Sequence, residues 1–291
     1  RDSARLEDAR ADGYPILGQV AGRSIGVLEC LEGSVHPFIR HRTWRPIADA
    51  PLSEKLAALR DPVFREALLS ETRESSTPTG ELLMSGWDRM YPVGNQNIDY
   101  EPHPDIDSLE ALSRSTGRTP QELALDALLD CDGRGMLYVP MFNYSDGDLE
   151  LVRQLHLHPS TRMGLSDAGA HCGAICDGGM PTFMLTHWTR DRARGEKLPL
   201  EYVVHRQTQQ TAQLFNMWDR GVIAPGMKAD LNVINYEKLG FSKAEMAYDF
   251  PTGARRLVQR GHGYELTMVS GVATVENDEF TGALPGKLVR S

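Results

Sequence analysis

Residues 161–179 read TRMGLSDAGAHCGAICDGG. Glycine occupies positions 164, 169, 173, 178 and 179, and a helix interior does not tolerate that density, because each glycine costs about 1 kcal/mol there relative to alanine. Residues 164–179 therefore read as a loop, entered from a short strand at Thr161 to Leu165. Asp167 then stands just past a strand end, where open α/β sheets and barrels gather their ligands. A carboxylate so placed can ligate a metal or move a proton. It can equally accept backbone hydrogen bonds as a turn residue, and the local sequence leaves both readings open. His171 can reach the same place or remain a surface histidine.

Outward from this loop the chain alternates strand and helix patterns. Upstream, YPILGQV (14–20) reads as a buried strand after the Asp12-Gly13 turn, while GRSIGVLECL is ambiguous between helix and strand. His36 to Pro51, with its prolines, tryptophan and arginines, reads as an ordered loop. Helical spacing follows at Ser53 to Arg60 and Pro62 to Leu69, with Ser53 and Asp61 as N-caps. Residues 74–104 lack a helical period and read as a long excursion of the functional kind. Further helices are expected at Asp107 to Ser115, at Pro120 to Leu129 behind a Thr119–Glu122 capping box, and at Ser145 to Leu155 with Ser145 and Asp148 in capping-box spacing. Gly135 to Met141 is a strand.

Downstream, Pro181 to Arg192 and Pro199 to Met217 read as helices, the second with an apolar stripe through Tyr202, Val203, Leu214 and Met217. From about Arg220 the texture becomes β-rich, with a hairpin turning at Asn277 and Asp278. The expected division is thus 1–219 and 220–291.

Bulk properties narrow the function. With 291 residues, 41% of them hydrophobic, the chain can bury a sizeable core. A net charge of −9 with scattered basic residues argues for a small-molecule partner and against nucleic acid or an anionic membrane. Cys30, Cys131, Cys172 and Cys176 show no framework spacing, which fits reduced thiols and a cytoplasmic location. No apolar run approaches the roughly 18 residues of a membrane helix, and no signal peptide is visible. The chain opens RDSARLEDAR without a methionine, so the gene product is expected to start upstream.

Other residues carry chemistry less pointedly. Gln19 and Arg23 lie at or just after the first strand, where an arginine fork can hold a substrate carboxylate or pair with a nearby acid. His187, Arg190 and Arg192 share one helix; the arginines are read as solvated ion-pair partners, with Arg190 a second candidate for the carboxylate. Cys172 and Cys176 are read as small buried thiols rather than a metal pair. His156 and His158 in HLHP look like a metal-binding HxH, but their place at a helix end before proline favours a helix-dipole role.

Taken together, MGLSDAGAH, PTFMLTHWTRDR, LPLEYVVHRQTQQTAQLF and DRGVIAPGMKADLNVIN resemble the C-terminal half of the amidohydrolase superfamily, nearest to the N-acyl-D-amino-acid deacylases, or D-aminoacylases. MYPVGNQNIDYEP and GALPGKLVRS are similar to one subgroup of that branch. The resemblance implies an α/β fold: the C-terminal part of a metal-dependent (β/α)8 TIM barrel plus a small β-sandwich subdomain. It implies one or two zinc ions, hydrolysis of an N-acyl amide, and Asp167 as both metal ligand and acid/base. His171 would steady the oxyanion; Arg23, Gln19 or Arg190 would bind substrate. The family's first-strand HxH, its bridging cysteine or lysine, and its later-strand histidines have no match in this sequence. HLHP cannot supply the first-strand pair, because it directly precedes the strand that ends at Asp167. The expectation is an N-terminal half that is absent or sits on a companion chain. A non-catalytic scaffold on a degenerate frame and a cyclic-amide hydrolase are the alternatives, and the 74–104 loop is a candidate homo-oligomer interface.

Overall fold

The computed structural model describes residues 2–72, 77–94, 96–164, 166, 169 and 171–289. Asp167, the pivot of the sequence reading, lies outside the described residues.

The chain begins with helix α1 (Asp2–Ala11) and strands β1 (Gly18–Val20) and β2 (Ile25–Glu29). β1 is shorter than the apolar run 14–20 predicts: Tyr14 and Ile16 are exposed, and Pro15 between them has no N–H for a ladder. Helices α2 (Leu52–Arg60) and α3 (Pro62–Ser70) follow. Asp61 caps α3, accepting from Phe64 N at 2.9 Å. Ser53 does not cap α2, which starts one residue earlier behind Pro51.

The expected 74–104 excursion is partly regular, holding α4 (Pro78–Ser85), a 3-10 turn at Trp87–Arg89 and β3 (Tyr91–Pro92). Then come α5 (Pro104–Asp107) and α6 (Leu109–Thr116). A single helix was expected here; Ser108 turns extended and caps α6 instead, accepting from Ala111 N at 3.1 Å. α7 (Pro120–Gly133) carries the expected Thr119–Glu122 capping box.

β4 (Leu137–Phe142) leads to α8 (Glu150–Leu157). The Ser145–Asp148 box does not form, because Gly147 at φ +73° turns the chain between them. β5 (Thr161–Met163) enters the glycine-rich segment, and α9 (Met180–Thr186) leaves it into a π-helical turn at His187–Asp191. α10 (Leu200–Gln207) and α11 (Gln209–Leu214) are split by the backbone at Thr208. The tail holds β6 (Leu231–Ile234), β7 (Gly240–Phe241), β8 (Glu245–Ala247), β9 (Arg256–Val258), β10 (Gly261–His262), β11 (Tyr264–Val269), β12 (Val272–Glu276) and β13 (Glu279–Phe280).

β1 and β5 pair in parallel, with Gln19 opposite Arg162. β2, β4 and β3 form an antiparallel sheet with β4 in the middle. The tail makes a four-stranded antiparallel sheet, β13-β12-β11-β6, and two strand pairs, β7 with β10 and β8 with β9. The last hairpin turns at Asn277 and Asp278 as expected, both at positive φ, the geometry of a primed turn whose twist matches its strands. The described strands close no barrel: each of β1 and β5 has a partner on one side only.

β4 divides the interior. Side chains alternate across a strand, so Leu137 and Val139 join Phe38, Trp44, Leu59, Leu68 and Leu125 in one core. Tyr138 points the other way, into a core with Tyr100, Met163, Phe183, Trp188 and Leu257. Leu257 brings the tail into that second core. Among the described residues no helix is long and apolar enough to cross a membrane.

Candidate active site

β1 and β5 end side by side. Val20, Thr161 and Met163 are buried, while Gln19 is exposed on the opposite face. Just beyond, Gly164 N donates to Val20 O at 3.0 Å. Gln19 lies so close to Gly164 that a Cβ there would stand 2.2 Å from its Nε2. Glycine at 164 thus lets the amide side chain fold over the strand exit, three residues before Asp167.

The described part of the loop is stitched down by successive carbonyls. Cys172 O accepts from Leu257 N at 2.7 Å, Gly173 O from Ser34 N at 2.9 Å, and Ala174 O from Leu28 N at 2.7 Å. His171, at φ +49°, is exposed, and its carbonyl accepts from Ala174 N and Ile175 N at 2.8 and 2.9 Å. That left-handed backbone turns the imidazole out toward solvent at the head of the stitched segment.

Arg23 is placed differently from the free fork expected for a substrate carboxylate. Its side chain is 1% exposed and already pairs with Asp177, Nη2 to Oδ1 at 2.7 Å. Nη1 donates to Ser24 O at 2.9 Å, and the guanidinium lies 3.5 Å from the centre of the Tyr100 ring. Arg190 is also committed, to both Asp191 oxygens and to the carbonyls of Tyr236, Glu237 and Leu239. It ties the π-helical turn to the connection between β6 and β7. Gln19 and the Arg23–Asp177 pair flank the glycine-rich segment, and Arg190 serves another junction.

The sequence did not disclose a second buried network. Glu101, 3% exposed, accepts from Arg192 Nε at 3.2 Å and Nη2 at 3.1 Å, and meets His187 Nε2 at 2.9 Å. Burial alone would raise the Glu101 carboxyl, but the hydrogen bonds from His187 and Arg192 outweigh it and hold the group down at about 2. Arg192 is therefore a buried ion-pair partner, not the solvated one expected. His187 stacks on Phe183, with ring centres 4.4 Å apart.

HLHP does not assemble a site. Burial, followed by the neighbouring Arg206, pushes His156 down to about 4, so it is neutral and packs edge-on against Trp188. The charge–dipole role expected for it does not apply. His158 instead bonds Glu7 Oε1 at 3.1 Å. None of the four cysteines forms a disulfide, and burial pushes the Cys176 thiol up to about 11. Among the described residues no group of three or more His, Cys, Asp or Glu side chains could hold a metal ion.

A cleft of about 830 Å³ reaches the same strand ends, touching Gly22, Gly164 and Ser166. Its other walls are apolar residues of α9 and α10, such as Met184 and Val204, and tail residues including Tyr236 and Tyr264.

β1 and β5 thus pair in parallel, and β5 runs into the glycine-rich segment of a mixed α/β chain. The chain belongs to the amidohydrolase family, whose model matches residues 4–275. Uncharacterised proteins of Mycobacterium bovis and Mycobacterium tuberculosis are 27% identical to it over 298 residues, an alignment covering 95% of this chain and 48% of theirs. The chain therefore spans about half the length of these curated relatives. Structures of D-aminoacylase, one a mutant in complex with copper chloride and one described by its binuclear metal center, are 20% identical with a TM-score of 0.36. They cover 80% of this chain and 45% of those chains, a likeness too low to carry an argument about this site.

Proposed function

We propose that this chain is the C-terminal portion of a metal-dependent amide hydrolase of the D-aminoacylase kind, acting on N-acyl-D-amino acids or similar N-acyl compounds. The family match over residues 4–275 is the observation that carries this reading. Asp167 is its acid/base: it takes the proton of the attacking water and returns it to the leaving amine nitrogen, two steps that one carboxyl can serve in turn. His171 donates to the oxyanion, and Gln19 orients the substrate at the strand exit.

The zinc implied by the resemblance does not fit the described residues, which offer no ligand cluster. Its remaining ligands belong, in this reading, to a polypeptide equivalent to the other half of the longer relatives. Two features support such a complement. Among the described residues β1 and β5 form the one parallel pair, although parallel sheets are stable mainly when larger and covered on both faces. Phe215, Trp218 and Ile223, close in sequence, are 63%, 65% and 88% exposed, large apolar side chains of the kind that interaction surfaces carry. The division at 219/220 and a β-sandwich built on the tail sheet belong to the same proposal.

The test is to join this chain with that other half, on one polypeptide and as two. Metal content and hydrolysis of N-acetyl-D-amino acids against their L enantiomers are then measured. Bound zinc with D-selective turnover supports the proposal. A folded, metal-free and inactive product overturns it in favour of a non-catalytic scaffold.

A further inference from the structure

We infer that the buried pair of Arg23 and Asp177 is the clamp that fixes the glycine-rich segment against the end of β1, making both of them positioning residues for the reaction. The catalytic half of this inference rests on the function proposed above; the clamp itself rests on geometry.

The carbonyl stitches at residues 172–174 hold the middle of the segment to β2, to Ser34 and to β9. Residues 175–179, which lead into α9, carry local backbone bonds, Ile175 N to His171 O, Met180 N to Asp177 O and Phe183 N to Gly179 O, and their tie to the β1–β2 connection runs through side chains. Asp177 makes that tie by turning inward, 3% exposed, onto a guanidinium that is 1% exposed. Arg23 also reaches Cys176 O at 3.5 Å, a long contact on the same stretch. It cannot swing away, because Tyr100 covers one face of the guanidinium at 3.5 Å and Ser24 O holds Nη1. Tyr100 is itself set edge-on against Tyr138, Phe183 and Phe241, and Ser24 Oγ lies 2.6 Å from Tyr138 Oη. The clamp thus ties the β1–β2 connection to the loop between β5 and α9, braced by β4, α9 and the tail. An ion pair this dry is directional, since a guanidinium offers its donors in a rigid planar fork.

Removing one partner strands a buried charge and endangers the fold, whereas replacing both by apolar residues of similar size is often tolerated. The decisive variant is therefore the double R23M/D177L, with R23K as the conservative control that keeps charge but loses the fork. Hydrogen exchange is read first, on the chain joined to its other half. In the double variant the amides of Ile175 and Met180, which donate to His171 O and Asp177 O, should exchange about 100-fold faster, while those of β4 (Leu137–Phe142) keep wild-type rates. Unchanged exchange at Ile175 and Met180 overturns the clamp.

Kinetics are read second. A misplacement of about 1 Å can cost on the order of 100-fold in rate, so kcat should fall by about that factor with KM nearly constant, and R23K should recover part of it. A rise in KM at constant kcat overturns the inference, because it assigns Arg23 to direct substrate contact. Faster exchange with wild-type kcat overturns the catalytic half. If the wild-type protein shows no amidase activity, the proposed function fails, and the exchange measurement still decides the clamp.

Discussion

Glu101 shows how one carboxylate can hold several segments. It accepts from Arg192 and the backbone N–H of Leu149, and meets His187. E101Q removes the buried carboxylate from Arg192 and leaves Glu150, 3.2 Å from Nη1, as its remaining anionic partner, so the variant should lose about 3 kcal/mol in denaturant unfolding, the lower end for breaking a buried pair. The pH dependence has a definite sign. The folded group sits at about 2, below the unfolded value of about 4.3. Its contribution is complete above that unfolded value and drains away as pH falls toward the folded one. The unfolding midpoint of E101Q should therefore fall less steeply on acidification than that of wild type. Asp167 belongs to the same scale: D167N should abolish turnover of the completed enzyme while changing its unfolding free energy by no more than about 1 kcal/mol, the centre of the range for point variants. Asp167 is proposed from sequence alone, where strand pattern, glycines and acid are contiguous. Glu101 with Arg192 was not legible there, because the partners lie far apart in sequence and a lone arginine beside an aspartate reads as a surface pair.

At the level of elements, local chemistry was readable wherever it was decided locally. The Thr119–Glu122 box, the Asp61 cap and the Asn277–Asp278 turn are each set by a few adjacent residues. Breaks inside apolar periodicity were not readable. Ser108, Gly147 and Thr208 interrupt stretches whose hydrophobic spacing continues across them, and tertiary contacts decide the interruption; the N–H of Leu149, for example, is held by Glu101 at 2.9 Å. The β2–β4 contact is likewise invisible in sequence. A Cβ at Gly26 would stand 2.7 Å from Val139 O and 3.1 Å from Pro140 Cα, backbone that cannot step aside. G26A should separate the two strands and cost about 1–3 kcal/mol, the usual range for overpacking, as read by thermal unfolding. Gly164 is the contrast. There the obstruction is the exposed end of Gln19, so G164A should be tolerated in stability and show its effect, if Gln19 orients substrate, in KM.

For the whole molecule, two cores on either side of β4 account for a chain that folds around its antiparallel sheet. The one parallel pair among the described strands and the exposed Phe215, Trp218 and Ile223 are the features a complement is proposed to cover. The chain by itself should bind a hydrophobic dye and self-associate with rising concentration. Joined to its other half it should do neither, a contrast that light scattering and dye fluorescence can read. The (β/α)8 barrel stays an expectation of the family resemblance, since a closed sheet is a property of strands counted together and the described strands supply one parallel pair.

The most direct test of the central claim is a single comparison: zinc content and N-acyl-D-amino-acid turnover of the completed protein, wild type beside D167N. The account predicts bound zinc and D-selective turnover in the wild type, with turnover lost in D167N while the protein stays folded. Wild-type turnover in D167N, or a folded wild type with neither metal nor activity, would contradict it.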